Sequence, residues 1–113
     1  MKLRIQVLHN SHCTFWRSDW ALLERLIKEG KVDGELEEVL VDTDEKAKQY
    51  RFFGSPQVMI NGEDVDPVAK RMTNFHWGGC RPYFYKEQSY DYATEGMIME
   101  AVEKIRRISH EKV

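Results

Sequence analysis

Leu3-Arg4-Ile5-Gln6-Val7-Leu8-His9-Asn10-Ser11-His12-Cys13-Thr14-Phe15-Trp16 runs from a strand-like apolar stretch into the start of a helical pattern. Residues 3–8 alternate poorly and read as a buried strand. Trp16, Trp20, Leu23 and Ile27 then recur at helical spacing, and Gly30 ends that helix. Cys13 therefore falls at a strand-to-helix junction. A thiol there faces the first unpaired helix amides, which favour a thiolate.

The rest of the chain continues the alternation. Leu36 to Val41 reads as a second strand. Asp42-Thr43-Asp44 offers N-caps for a short helix with Ala47, Tyr50 and Phe53 on one side, and Gly54 breaks it. Gln57 to Ile60 is the third strand, and Asn61-Gly62 is a strong hairpin signal into a brief return over Glu63 to Asp66. Pro67 to Gly79 reads as a long irregular connection of the functional or mobile kind. Arg81 to Tyr85 reads as a last strand, with Pro82 restricting it to an edge or to the strand's first residues. Thr94 caps a final helix with Ile98, Ala101, Val102, Ile105 and Ile108 on its apolar face.

The expected architecture is α/β, in the order β-α-β-α-β-β-α. A small mixed four-stranded sheet should carry helices on both faces, with residues 1–113 as a single domain. The first β-α-β should be parallel and right-handed, and the later pair antiparallel.

Composition narrows the function. The chain has 113 residues, 42% hydrophobic and 32% charged, enough for a packed core. Its net charge is -2 with no basic block, so nucleic-acid binding has no electrostatic footprint. No stretch approaches the ~18 apolar residues of a membrane span, and a cytoplasmic location is the default reading. There the two cysteines, Cys13 and Cys80, would rest reduced. No cofactor is expected.

Ser55-Pro56 before the third strand, and Ile60-Asn61-Gly62 after it, complete a pattern with the strand-Cys-helix opening. On these residues the chain resembles the thioredoxin-like superfamily. Ser55 to Gly62 looks like the glutaredoxin version. Phe52-Phe53-Gly54-Ser55-Pro56, Asp64-Val65-Asp66-Pro67 and Cys80-Arg81-Pro82-Tyr83 resemble segments of small bacterial thioredoxin-like proteins. The resemblance implies a thioredoxin-like fold and thiol-disulfide exchange with a protein or small-molecule substrate. It implies a cis peptide at Pro56 facing Cys13. Ser55 and Pro56 would shape the substrate groove, with Thr14 and Trp16 beside the thiol. Two features depart from the pattern. Trp16 stands where a C-x-x-C motif has its second cysteine, and Pro67-Val68-Ala69-Lys70 replaces the Gly-Gly-x-Asp used for glutathione.

Three mechanisms stay open for Cys13. It could act as the nucleophile with Cys80 as a distant resolving thiol, given Cα atoms within ~7 Å and a segment that swings at Gly78-Gly79. It could act alone with a small thiol. It could be a buried structural cysteine. His12 is expected to tune the thiol. An alternative set of His9, His12, Cys13, His76 and Cys80 would make a metal-binding or sensor module. His110 reads as a terminal surface residue. Glu63, Asp64 and Asp66 read as a solvated turn. The aromatics Phe75, Trp77, Tyr83, Phe84 and Tyr85 bracket Cys80 and divide between core, a lid and a homodimer contact.

Overall fold

The computed structural model describes residues 2–111. Six strands and three helices form: β1 (Leu3–His9), α1 (Trp16–Lys28), β2 (Gly34–Leu40), α2 (Asp44–Tyr50), β3 (Gln57–Ile60), β4 (Glu63–Asp64), β5 (Tyr83–Tyr85), β6 (Gln88–Tyr90) and α3 (Glu95–Glu111). A 3-10 turn, Pro67–Arg71, lies between β4 and β5. The side chain of His110 lies outside the described ones.

The sheet is mixed, with strand order β2-β1-β3-β4. β1 runs parallel to β2 from Leu3 opposite Gly34 to His9 opposite Leu40. It runs antiparallel to β3, with Val7 opposite Val58. β3 turns through Asn61-Gly62 into β4. Both turn residues have positive φ, 52° and 83°, as that two-residue hairpin requires.

Side chains alternate across β1 and so build two cores. Leu3, Ile5 and Val7 join Val58 and Ile60 on one face, where Leu23 and Leu26 of α1 and Ile98 and Val102 of α3 pack. Leu8 and Met59 face the other way, onto Val41, Ala47 and Phe52. Helices thus cover both faces, as expected.

The expected order needs correction past β4. The sheet's fourth strand is the two-residue return at Glu63–Asp64, and Tyr83–Tyr85 does not join the sheet. It pairs with β6 instead, as a separate hairpin with Tyr83 opposite Tyr90. α2 also ends earlier than its spacing suggests. Thr43 caps it through Lys46 N, and Arg51 closes it in the left-handed region at φ 54°. Phe52, not Phe53, enters the core. α3 starts where expected, with Thr94 Oγ1 accepting from Met97 N at 3.2 Å. No helix among the described residues is long and apolar enough to cross a membrane.

Candidate thiol site

Cys13 lies in the connection between β1 and α1, three residues ahead of the helix. That loop is shaped by Asn10, which is buried at 1% exposure. Asn10 Oδ1 accepts from the backbone N–H of both His12 and Cys13, each at 3.0 Å. Asn10 Nδ2 donates to the carbonyls of Trp77 at 2.7 Å and Gly79 at 2.8 Å. The amide has used both donors and its acceptor oxygen, so one side chain fastens the Cys13 loop to the segment that leads to Cys80.

That segment is fastened a second time by backbone pairing. Ser55 and Cys80 form a parallel bridge. Ser55 N donates to Gly79 O at 2.8 Å, and Arg81 N donates to Ser55 O at 3.1 Å. The Ser55–Pro56 peptide is cis. Gly54 lies directly beneath: a Cβ there would come within 2.7 Å of Arg81 Cβ and 2.9 Å of Arg81 N. Only glycine admits so close a crossing, and its φ of 155° lies outside the usual L-residue range.

Arg81 anchors the far side of the segment. It makes two hydrogen bonds to Asp64, at 2.6 and 3.0 Å, with the two side chains 2% and 5% exposed. The guanidinium lies 4.2 Å from the ring centroid of Phe53 and 4.1 Å from that of Tyr83. A planar cation paired bidentately and stacked on aromatics is a fit specific to arginine. Asp66 faces inward too, at 8% exposure, and caps the 3-10 turn through Val68 N. The acidic turn expected to be solvated is therefore largely turned into the protein. Tyr83, fully buried, donates its hydroxyl to Pro56 O at 2.6 Å.

The two thiols meet at the centre of this frame. Cys13 is 4% exposed, and its Sγ donates to Ser55 O at 3.6 Å. Cys80 is exposed. The Cys80 thiol is pushed up to about 11, chiefly by its hydrogen-bonding interaction with the Cys13 side chain, then by burial and by the charges of Cys13 and Asp91. A neighbouring thiol that can itself carry charge opposes the charging of Cys80, which therefore holds its proton more tightly than a free thiol.

The other expected residues divide. Trp16 stacks on His9, with centroids 4.0 Å apart and planes 12° from parallel, and packs against the larger core. Thr14 is exposed, and its carbonyl accepts from Arg17 N. His12 is exposed beside Trp77, with Nδ1 3.2 Å from Gly78 O. His9 is buried and holds Glu38 at 2.7 Å. Among the described residues no three His, Cys, Asp or Glu side chains come together as a metal set. The alternative set of His9, His12, Cys13, His76 and Cys80 therefore does not assemble, because His9 is committed to Glu38. Nor does the 67–79 connection hang free. His76 N donates to Phe52 O, and Trp77 is tied through Asn10. Phe75 and Trp77 pack on the smaller core, and Phe84 is left 67% exposed.

Two residues that the sequence reading passed over matter here. Asn10 is one; an asparagine directly after a strand is the common start of a side-chain-capped turn. Asp19 is the other. It is fully buried in α1, accepts from Ala93 N at 3.1 Å through Oδ2, and has no partner for Oδ1 among the described residues. Burial pushes its carboxyl up to about 7, against the pull of the Ala93 hydrogen bond and of Arg81. Its spacing, three after Trp16 and four before Leu23, places it on the apolar stripe.

A groove of about 870 Å3 runs between β4, β5 and α3 and includes neither cysteine. Cys13 lies instead buried in the β1–α1 connection, and Cys80 in the segment bridged to Ser55. No family profile matches this chain, and neither a curated protein nor a solved structure is detectably similar to it.

Proposed function

We propose that this chain is a thioredoxin-like thiol-disulfide oxidoreductase in which Cys13 and Cys80 form the exchanging pair. The proximity of the two cysteines, both held on Ser55, carries the reading. The placement of Ser55 against the buried thiol, and of Cys13 between β1 and α1, supports it. A distant second cysteine replaces the one that Trp16 displaces from the local motif.

Exposure sets the order of events. The roles expected from the sequence, Cys13 as nucleophile and Cys80 as resolving thiol, are exchanged in this proposal: a disulfide in solution reaches Cys80 first, because Cys13 is buried. The Cys80 sulfur displaces one half of the substrate disulfide, which leaves as a thiol with the proton from Cys80. The Cys13 sulfur then attacks the Cys80 sulfur, and the second half leaves as a thiol with the proton from Cys13. The protein loses two electrons to the substrate and ends as the Cys13–Cys80 disulfide. The reverse steps reduce it. In a reducing compartment such as the cytoplasm the pair rests as the dithiol.

Mild oxidation followed by mass spectrometry tests this. The expected product is an intramolecular Cys13–Cys80 disulfide that a small thiol reduces. Recovery of only sulfenic acid or intermolecular dimers would remove the two-thiol reading.

A further inference from the structure

A disulfide substrate delivered on a polypeptide is normally held by strand pairing, which needs an unpaired backbone edge beside the sulfur. The backbone around these thiols has little left to offer. Ser55 has given its N–H to Gly79 and its carbonyl to Arg81 and Cys13. The N–H groups of His12 and Cys13 are taken by Asn10 Oδ1, and the carbonyls of Trp77 and Gly79 by Asn10 Nδ2.

The outer edge of the 78–82 segment is the remaining place for a strand. In a parallel bridge the residue opposite Ser55 points its own N–H and carbonyl outward, so that edge consists of Gly78, Cys80 and Pro82. Pro82 has no N–H, and the Gly78 carbonyl faces His12 Nδ1 at 3.2 Å. What is left is the N–H and carbonyl of Cys80, flanked by a lone Gly78 N–H and a lone Pro82 carbonyl, a ladder broken on both sides of Cys80 and poorly able to register a strand. The segment is also not free to yield, since Arg81 is paired with Asp64 on one side and Asn10 grips it on the other.

Resting on the exchange reading above, we infer that the pair reacts with low-molecular-weight disulfides and thiols meeting the exposed Cys80 sulfur, and not with strand-bound polypeptides. The chemistry is the two-step exchange already written, with a substrate small enough to need no backbone contact.

The test uses the oxidised full chain and two reductants of matched thiol pKa: N-acetylcysteine amide, and an unstructured single-cysteine peptide of about ten residues. Reduction is followed by quenching and mass spectrometry at rising reductant concentration. Both rates should grow linearly, with the peptide no faster than the small thiol. A peptide rate that saturates and exceeds the small-thiol rate by about tenfold or more would show a strand-binding site and overturn the inference. Failure to form the Cys13–Cys80 disulfide in the first place would remove the exchange reading, and this inference with it. The first failure is seen in the rates and the second before any rate is measured.

Discussion

Cys80 stands opposite Ser55 in a parallel bridge, so backbone pairing and not its own side chain fixes where this thiol lies. The same Ser55 carbonyl accepts the Cys13 thiol. One peptide unit therefore sets the positions of both sulfurs.

Removing Cys13 should release the proton of Cys80. The Cys80 thiol stands at about 11 chiefly because of Cys13. Each unit is tenfold in thiolate at a pH below both values, so Cys13→Ala should speed iodoacetamide labelling of Cys80 near neutral pH by about 10- to 100-fold. Labelling at the wild-type rate would mean that the thiols do not interact.

Removing the charge of Asp91 should act in the same direction and more weakly, since Asp91 is the smallest of the influences on Cys80. Asp91→Asn should raise the labelling rate by less than about tenfold, and added salt should narrow the difference from wild type. A slower rate in the variant would contradict the assignment.

Asn10 joins four backbone groups with one side chain. Asn10→Ala should cost about 2–4 kcal/mol in urea unfolding, because the carbonyls and N–H groups it leaves are partly buried. Asn10→Asp keeps the acceptor for His12 and Cys13 but turns a carboxylate toward two carbonyls. It should slow oxidation to the Cys13–Cys80 disulfide as well as lower stability.

The Arg81–Asp64 pair should show the asymmetry of buried charge. Asp64→Leu alone leaves a buried guanidinium and should cost about 3–5 kcal/mol. Arg81→Met combined with Asp64→Leu should recover much of that loss in a double-mutant cycle. Additive losses would mean that the pair contributes nothing as a pair.

Asp19 should make the fold lose stability as pH rises from about 4 to about 7. Its carboxyl is raised from 3.8 to about 7 in the folded protein, so the fold binds its proton more tightly than the unfolded chain. That stability is present in full below about pH 4 and is lost as pH rises through about 7. The shift corresponds to roughly 4–5 kcal/mol at ~1.4 kcal/mol per unit. Urea unfolding across this window should show the decline in wild type and its absence in Asp19→Asn.

The sheet was legible because its signals are local. Residues 3–8 read as buried, and Asn61-Gly62 announces its own turn. The β5–β6 hairpin was not legible, because its turn is Lys86-Glu87. Both residues adopt positive φ, 49° and 68°, though neither residue type signals it. Tertiary packing imposes that turn, as it imposes the burial of Asp64 and Asp66 in a stretch that reads as solvated. The two cysteines could be named from sequence, but their meeting could not. It depends on Asn10, Gly54 and Arg81, which act only once residues far apart in the chain have come together.

The sheet also ends in a way that bears on the chain's behaviour in concentrated solution. Its β4 edge is two residues long, and its β2 edge carries Glu35, Glu37 and Glu38. A neighbouring copy would find at one border too few amide groups to zip onto, and at the other a row of charged side chains, Glu35 and Glu37 beside Lys2 and Arg4 and Glu38 held by His9, that it would have to desolvate. Shortness on one side and charge on the other guard the molecule against edge-to-edge aggregation.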